Sequence, residues 1–171
     1  MLIEPLSRRH DRKSFDCGDS EVNLFLREKA LQDHERDLSR TTVLSDDDGT
    51  TAKPVIGYHT LIMVQVRQEE IPRDRPRIKR PIPVILLGQI GIDRKFAGRG
   101  FGDLLLTDAQ ARCDAISRKV GVRALMLDAR SERLAEWYAK HDFIRFPDSL
   151  RMFKSIEAIR RLKLLEEPSN D

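Results

Sequence analysis

Apolar residues recur along the chain in blocks that switch between helical and extended periods, separated by polar stretches bearing Pro or Gly. Val22, Phe25, Leu26 and Ala30 fall at helical spacing behind Asp19 and Ser20, either of which can cap a helix running through HERD. RTTVL predicts a short strand, SDDDG a turn, and PVIGYHTLIMVQV a longer strand rich in β-branched residues. PVILLGQIGID, bounded by Pro83 and Asp93, is nearly continuous in apolar character, which suits a strand buried on both faces. The glycine-rich turn FAGRGFGD then opens a helix. Its apolar stripe is Phe101, Leu105, Ala109, Cys113, Ile116 and Val120, ended by Gly121. VRALMLDA predicts the next strand. SERLAEWYAKH predicts a helix capped by Ser131, with Glu132 in its first turn where the dipole favours an anion. LRMFKSI is a final strand and EAIRRLKLLEE a basic helical tail within 155–171. The alternation predicts one α/β domain over residues 1–171, a central mixed (α+β) sheet flanked by helices.

Composition narrows the class. A chain of 171 residues with 40% apolar content has enough material for a packed core, and no stretch approaches the ~20 apolar residues of a membrane helix. MLIEPLSRRHDRK turns polar at once and has no secretory h-region, which predicts a cytoplasmic protein with no membrane partner. Cys17 and Cys113 stand far apart with no second Cys or His at ligand spacing, so neither a disulfide scaffold nor a metal site organises the fold. His10, His34 and His59 read as surface or satisfied histidines. The charge is 31 cations against 28 anions, or +3. Located, it is less bland. RQEEIPRDRPRIKR carries six cations (Arg67, Arg73, Arg75, Arg77, Lys79, Arg80) and three anions, so this Pro-punctuated segment holds the whole excess.

The most informative stretch is the strand, turn and helix from Ile90 to Asp103. Glycines at 98, 100 and 102 permit positive φ and close approach of a ligand, and a helix N-terminus behind them suits a phosphate. Arg94, Lys95 and Arg99 add charge there. A Walker loop is excluded because no Gly-Lys-Ser/Thr ends the turn. The dinucleotide fingerprint is excluded because its third glycine would fall on Asp103. An acyl-CoA turn is the third motif of this kind.

The run Ala97-Gly98-Arg99-Gly100-Phe101-Gly102 resembles the signature Gln/Arg-x-x-Gly-x-Gly/Ala of the GNAT acetyltransferases, with Ala97 in place of the usual Arg or Gln. FDCGDSEVNLFL, IPVILLGQIGID and AEWYAKHDF are similar to the GNAT toxins of bacterial toxin–antitoxin pairs, over roughly residues 4–153. The resemblance implies a GNAT-like sheet with splayed central strands that bind acetyl-CoA. It implies that the N–H groups of Ala97, Gly98, Arg99, Gly100, Phe101, Gly102 and Asp103, aided by Lys95, hold the pyrophosphate. Ile90, Gly91 and Ile92 would lie against the pantetheine arm, with a backbone N–H near Ile92 polarising the acetyl carbonyl. Tyr138 would be the acid that protonates the leaving thiolate, although aromatics on neighbouring helical positions are usually core. A ribbon–helix–helix antitoxin and a homodimer are further implications.

No carboxylate pair singles out a base among Asp93, Asp128, Glu132, Glu136 and His141. That bears on the acceptor. A lysine amine of pKa ~10.4 calls for a base, whereas an α-amine near 7.7–8.0 is already partly neutral. Aminoacyl-tRNA, a peptide N-terminus and a small α-amine all satisfy this condition. The tRNA reading gives a use to Arg73, Arg75, Arg77, Lys79 and Arg80, to Arg36 and Arg40, and to the Arg112, Arg118, Lys119 and Arg123 set. The expectation is therefore a toxin that acetylates aminoacyl-tRNA. A housekeeping GNAT and a non-catalytic acyl-CoA module stand as alternatives.

Overall fold

The computed structural model describes residues 1–46, 52–67 and 80–166. Its strands form a mixed eight-stranded sheet in the order β1-β3-β4-β5-β6-β8-β7, with β2 beside β4, and helices flank it. The chain divides into two compact units, Met1–Ile62 with Leu87–Ala109 and Met63–Leu86 with Gln110–Asp171.

In the first unit β1 (Leu2–Pro5) pairs antiparallel with β3 (Arg40–Ser45), and β3 pairs antiparallel with the start of β4 (Lys53–Val66). The short β2 (His10–Asp11) runs parallel to β4. A bulge opposite Leu44 and Ser45 leaves Ile56 unpaired on β4, and it turns Ile56 and Tyr58 into separate core clusters. The predicted first helix exists but is not uniform. Asp19 caps α1 (Ser20–Leu24) by accepting from Glu21 and Val22 N–H, a π-helical turn covers Phe25–Lys29, and α2 (Ala30–Glu35) completes it. Val22, Leu26 and Ala30 are buried, as their spacing predicts, against Phe15, Val43 and Tyr58. The Tyr58 hydroxyl donates to the Val22 carbonyl at 2.7 Å, which keeps this core polar atom satisfied.

β1 and β2 have no counterpart in the sequence pattern. They are held by Glu4, whose Oε1 accepts from Ser45 Oγ (2.8 Å) and Lys53 Nζ (3.1 Å) and pairs with His10 Nε2 (3.2 Å). These contacts, led by the Ser45 hydrogen bond, pull the Glu4 carboxyl from 4.5 down to about 2. A depressed acid stabilises the fold above its unfolded value and loses that contribution as pH falls. Glu4→Gln should therefore destabilise by about 1 kcal/mol at pH 6 after discounting for solvent screening, and the difference should vanish between pH 4.5 and 2. Denaturant titrations of both proteins across that range measure it.

In the second unit β5 (Ile82–Ile92) enters parallel to β6 (Ala124–Asp128), with Ile85 opposite Leu125. β6 pairs antiparallel with β8 (Arg151–Ser155), and β7 (Ile144–Arg145) closes the order beyond it. Val66, Ile82, Val84, Ala124 and Met126 form the core. β5 matches its prediction to within a residue, but only its first half is buried on both faces, and Gly88–Ile92 are half-exposed. The helix α3 (Phe101–Ser117) stops short of Val120, which is exposed and not part of the buried stripe. Asp114 is buried on α3 instead. It accepts from Arg160 of α5 (Ile156–Glu166) at 2.9 Å and from Arg118 at 3.2 Å, which ties the basic tail to this unit. The predicted SDDDG turn falls largely outside the described residues.

Candidate functional site

The glycine turn is built entirely within the first unit. β5 ends at Ile92, and Asp93 takes over. Its side chain, 4% exposed, caps a 3-10 turn (Arg94–Phe96) by accepting from Lys95 N–H at 2.9 Å. The Asp93 N–H donates to the Ile56 carbonyl at 2.8 Å, and Phe96 and Ala97 N–H groups close the turn onto Asp93 and Arg94. Gly98 and Gly100 follow with φ of +75° and +79°, a conformation that side-chain-bearing residues enter only with strain. α3 begins directly behind them, with Leu104 N–H donating to the Gly100 carbonyl. Leu105, wholly buried with Leu44 and Ile56, anchors the helix.

Beyond the adjoining residues, no heavy atom among the described residues lies within 4 Å of the point where a Cβ would stand on Gly98 or Gly100. The turn therefore presents its main chain to open space at the N-terminus of a 17-residue helix whose first N–H groups have no intrahelical acceptor. That geometry fits a pyrophosphate. Lys95 and Arg99 are exposed beside it, with the Arg99 guanidinium 5.5 Å from the centre of the Phe96 ring. Arg94, also exposed, lies 3.5 Å from an Asp16 carboxylate oxygen. Ile90 and Ile92 pack their side chains against the Leu44–Ile56–Leu105 cluster, so what this end of β5 offers a ligand is main chain. Gly91 has its own reason to be glycine: a Cβ there would stand 2.9 Å from Val22 Cγ1 and 3.3 Å from Cys17 Sγ.

Tyr138 lies in the second unit on α4 (Glu132–Lys140), whose N-terminus is capped by Ser131 Oγ accepting from Leu134 N–H. The residue is 5% exposed, with its ring 4.8 Å from Trp137 and 5.7 Å from Phe143. Burial pushes its phenol above the usual tyrosine value. The end of α4 is tightly specified. His141 and Phe143 N–H groups both donate to the Tyr138 carbonyl, and Asp142 adopts φ +63°. Lys154 of β8, 1% exposed, donates through Nζ to the His141 carbonyl at 2.8 Å and lies 5.9 Å from the Phe143 ring centre.

Three candidate bases have structural duties. Asp93 caps the turn, Asp128 takes two hydrogen bonds from Arg151 (2.8 and 3.1 Å), and Glu132 takes two from Arg145 (2.6 and 2.9 Å). The Arg145 hydrogen bond lowers the Glu132 carboxyl below its usual range. Arg73, Arg75, Arg77 and Lys79 lie outside the described residues, and Arg80 is exposed. Arg40, Arg118 and Arg123 are paired with Asp37, Asp114 and Glu157. His59 is neither a surface nor a satisfied histidine. It is wholly buried, 2.7 Å from Asp108 through Nε2, while its Nδ1 has no partner among the described residues. A separation of 49 residues hid that pair from any reading of local spacing. Among the described residues no cluster of three or more metal-ligating side chains occurs, and no helix is long and apolar enough to cross a membrane.

No protein-family model matches the chain. It is 33% identical over 174 residues to a probable toxin TacT of Sinorhizobium fredii, covering 94% of each chain. It is also 33% identical over 159 residues to a tRNA-acetylating toxin of Mycobacterium tuberculosis, covering 92% of this chain and 93% of that one. Among solved structures, a tyrosine-to-phenylalanine mutant of KacT superposes with a TM-score of 0.86 at 25% identity, over 94% of this chain and 98% of KacT. AtaT complexed with acetyl-methionyl-tRNAfMet gives 0.84 at 27% identity, over 95% and 98%. An AtaT mutant bound to the C-terminus of the antitoxin AtaR and acetyl-CoA gives 0.77 at 26%, over 95% and 97%.

Proposed function

The chain belongs to the GNAT acetyltransferase toxins of toxin–antitoxin pairs, and on that premise we propose that it is an acetyl-CoA-dependent N-acetyltransferase acting on the α-amine of aminoacyl-tRNA. The observation that carries the reading is the open glycine cradle at the start of α3. AtaT structures with acetyl-CoA and with acetyl-methionyl-tRNAfMet support the same donor and the same class of acceptor.

Acetyl-CoA brings an activated acetyl thioester. The N–H groups from Gly98 to Asp103 hold its pyrophosphate, that of Ala97, expected among them, being taken by the Arg94 carbonyl; Lys95 and Arg99 supply the charge that Ala97 lacks, and the main chain of Ile90, Gly91 and Ile92 aligns its arm. Tyr138 carries its proton at neutral pH, as a phenol of ordinary pKa near 10 already does and as its burial reinforces, and it serves as donor to the departing thiolate. The structural engagement of Asp93, Asp128 and Glu132 fits an acceptor that needs little help in losing a proton, and an α-amine of an aminoacyl ester is such an acceptor. The cations from Arg73 to Arg80 supply phosphate contacts that give affinity and salt dependence. The AtaT–AtaR complex supports an antitoxin partner, which we take to be of ribbon–helix–helix type. The protein works in the cytoplasm as a single-domain GNAT fold over residues 1–171, as a homodimer.

Incubation with acetyl-CoA and a charged tRNA pool should yield N-acetyl-aminoacyl-tRNA. Acetylation of free polyamines or peptides with no tRNA product would replace this reading with that of a housekeeping enzyme. Gly100→Ala tests the cradle. The methyl group meets open space, so the protein should fold with a loss of about 1 kcal/mol from the positive φ, yet bind acetyl-CoA at least ~10-fold more weakly by calorimetry.

A further inference from the structure

We propose that the N-terminal segment Asp16–Asn23 is a clamp that sets the position of the glycine turn, with Asp16 and Asn23 as positioning residues for acetyl-CoA binding. The inference rests on the acetyl-CoA reading above. The FDCGDS motif marks the family resemblance and has no other chemistry assigned to it. Its contacts converge on the two residues where β5 becomes the turn. Asp93 accepts from Asp16 N–H through Oδ2 (3.0 Å) and from Lys95 N–H through Oδ1 (2.9 Å), so one carboxylate joins the segment to the turn. The bridge is reciprocal, because Arg94 N–H donates back to the Asp16 carbonyl at 2.9 Å.

Asp16 is itself held. Its Oδ1 accepts from Gly18 N–H (2.9 Å) and from Asn23 Nδ2 (2.8 Å), and these contacts keep its carboxyl below the usual range. Asn23 Oδ1 accepts from Cys17 N–H at 2.9 Å, which locks the loop onto α1. α1 is in turn fixed by Val22, a member of the unit's core. Two glycines bring the segment this close. Gly18, at φ +91°, would place a Cβ 2.9 Å from Arg94 Nε, and Gly91 would meet Val22 and Cys17. A continuous chain of contacts therefore runs from the core through Asn23 and Asp16 to Asp93 and the first amide of the turn. The clamp also draws Arg94 to Asp16, which leaves Lys95 and Arg99 as the cations for the pyrophosphate.

Asn23→Ala removes one donor and one acceptor from this chain, and Thr41→Val serves as a matched control. Thr41 forms a buried hydroxyl pair with Thr60 (2.8 Å) in the same unit and has no part in the clamp. Acetyl-CoA affinity and the thermal midpoint are measured for each. Asn23→Ala should weaken acetyl-CoA binding about tenfold and raise the KM for acetyl-CoA with kcat unchanged, while Thr41→Val loses stability but keeps wild-type affinity. Equal affinity in Asn23→Ala and wild type, or equal weakening in Thr41→Val, overturns the clamp. Should Asn23→Ala fail to fold, Asp16→Ala, which removes the Oδ1 that accepts from Gly18 and Asn23, takes its place: weaker binding supports the clamp and wild-type affinity overturns it. A wild-type protein that binds no acetyl-CoA refutes the functional reading instead. Hydrogen exchange at the Lys95 and Ala97 amides then decides the clamp without ligand: faster exchange in Asn23→Ala supports it, and unchanged exchange sinks it.

Discussion

Tyr138→Phe should lower acetyl transfer to charged tRNA by at least ~100-fold and remove growth inhibition on expression, while leaving the thermal midpoint within a few degrees of wild type. The substitution deletes one oxygen and keeps the ring. The contacts with Trp137 and Phe143, and the two hydrogen bonds that the Tyr138 carbonyl accepts, are main-chain or aromatic and survive it. A large loss of rate without a large loss of stability isolates the hydroxyl. The pH dependence sharpens the test. Burial pushes the phenol up, so its proton stays on through the ordinary tyrosine value near 10, and no fall in rate assignable to Tyr138 should appear between pH 7 and 9. Transfer unchanged in Tyr138→Phe would move the acid role to another group.

Lys154→Met should lower the thermal midpoint by roughly 5–10 °C and reduce kcat, with little change in the KM for acetyl-CoA. A buried ammonium is tolerated only where it is well partnered. Here it meets the His141 carbonyl at 2.8 Å, Asp142 at 3.8 Å and the face of Phe143. A charge-assisted hydrogen bond of this kind contributes about 1.5–3 kcal/mol. Methionine fills the same volume and leaves that carbonyl without its donor. The carbonyl sits three residues after Tyr138, on the turn that carries Phe143 against the tyrosine ring, so its displacement is felt at the hydroxyl. Differential scanning calorimetry and steady-state kinetics on one preparation separate the two effects, and a lower midpoint with unaltered kcat would confine Lys154 to stability.

The regular elements were legible because local physics makes them. Ser131 and the period of the following residues define α4, and the apolar run between Pro83 and Asp93 defines β5 to within a residue. The apolar period on α3 outruns the buried face: Val120 continues it and its N–H still reaches the Ile116 carbonyl, while its side chain is exposed. What stayed hidden depends on contacts distant in sequence. Glu4 finds Lys53, Asp16 finds Asp93, and Asp114 finds Arg160 across 46 residues, and no window of the sequence announces any of them. The cradle glycines were readable because positive φ selects residue type at a single position. The roles of the charges were not, since Arg40, Arg118 and Arg123 look like free cations until their partners are seen.

The interleaving of the two units governs how the protein can be made. The chain passes between them three times, inside β4, β5 and α3, so neither unit is a contiguous stretch of the gene. A nascent chain cannot close the first unit until Ala109 has emerged, although its first 62 residues are synthesised early. Tyr138 and its supporting Lys154 are translated later still, at about 5–20 residues per second. The ribosome that such an enzyme would silence therefore completes nearly all of the chain before any activity exists, and no single cut separates the two units, since a chain ending at Ala109 still carries Met63–Leu86 of the second.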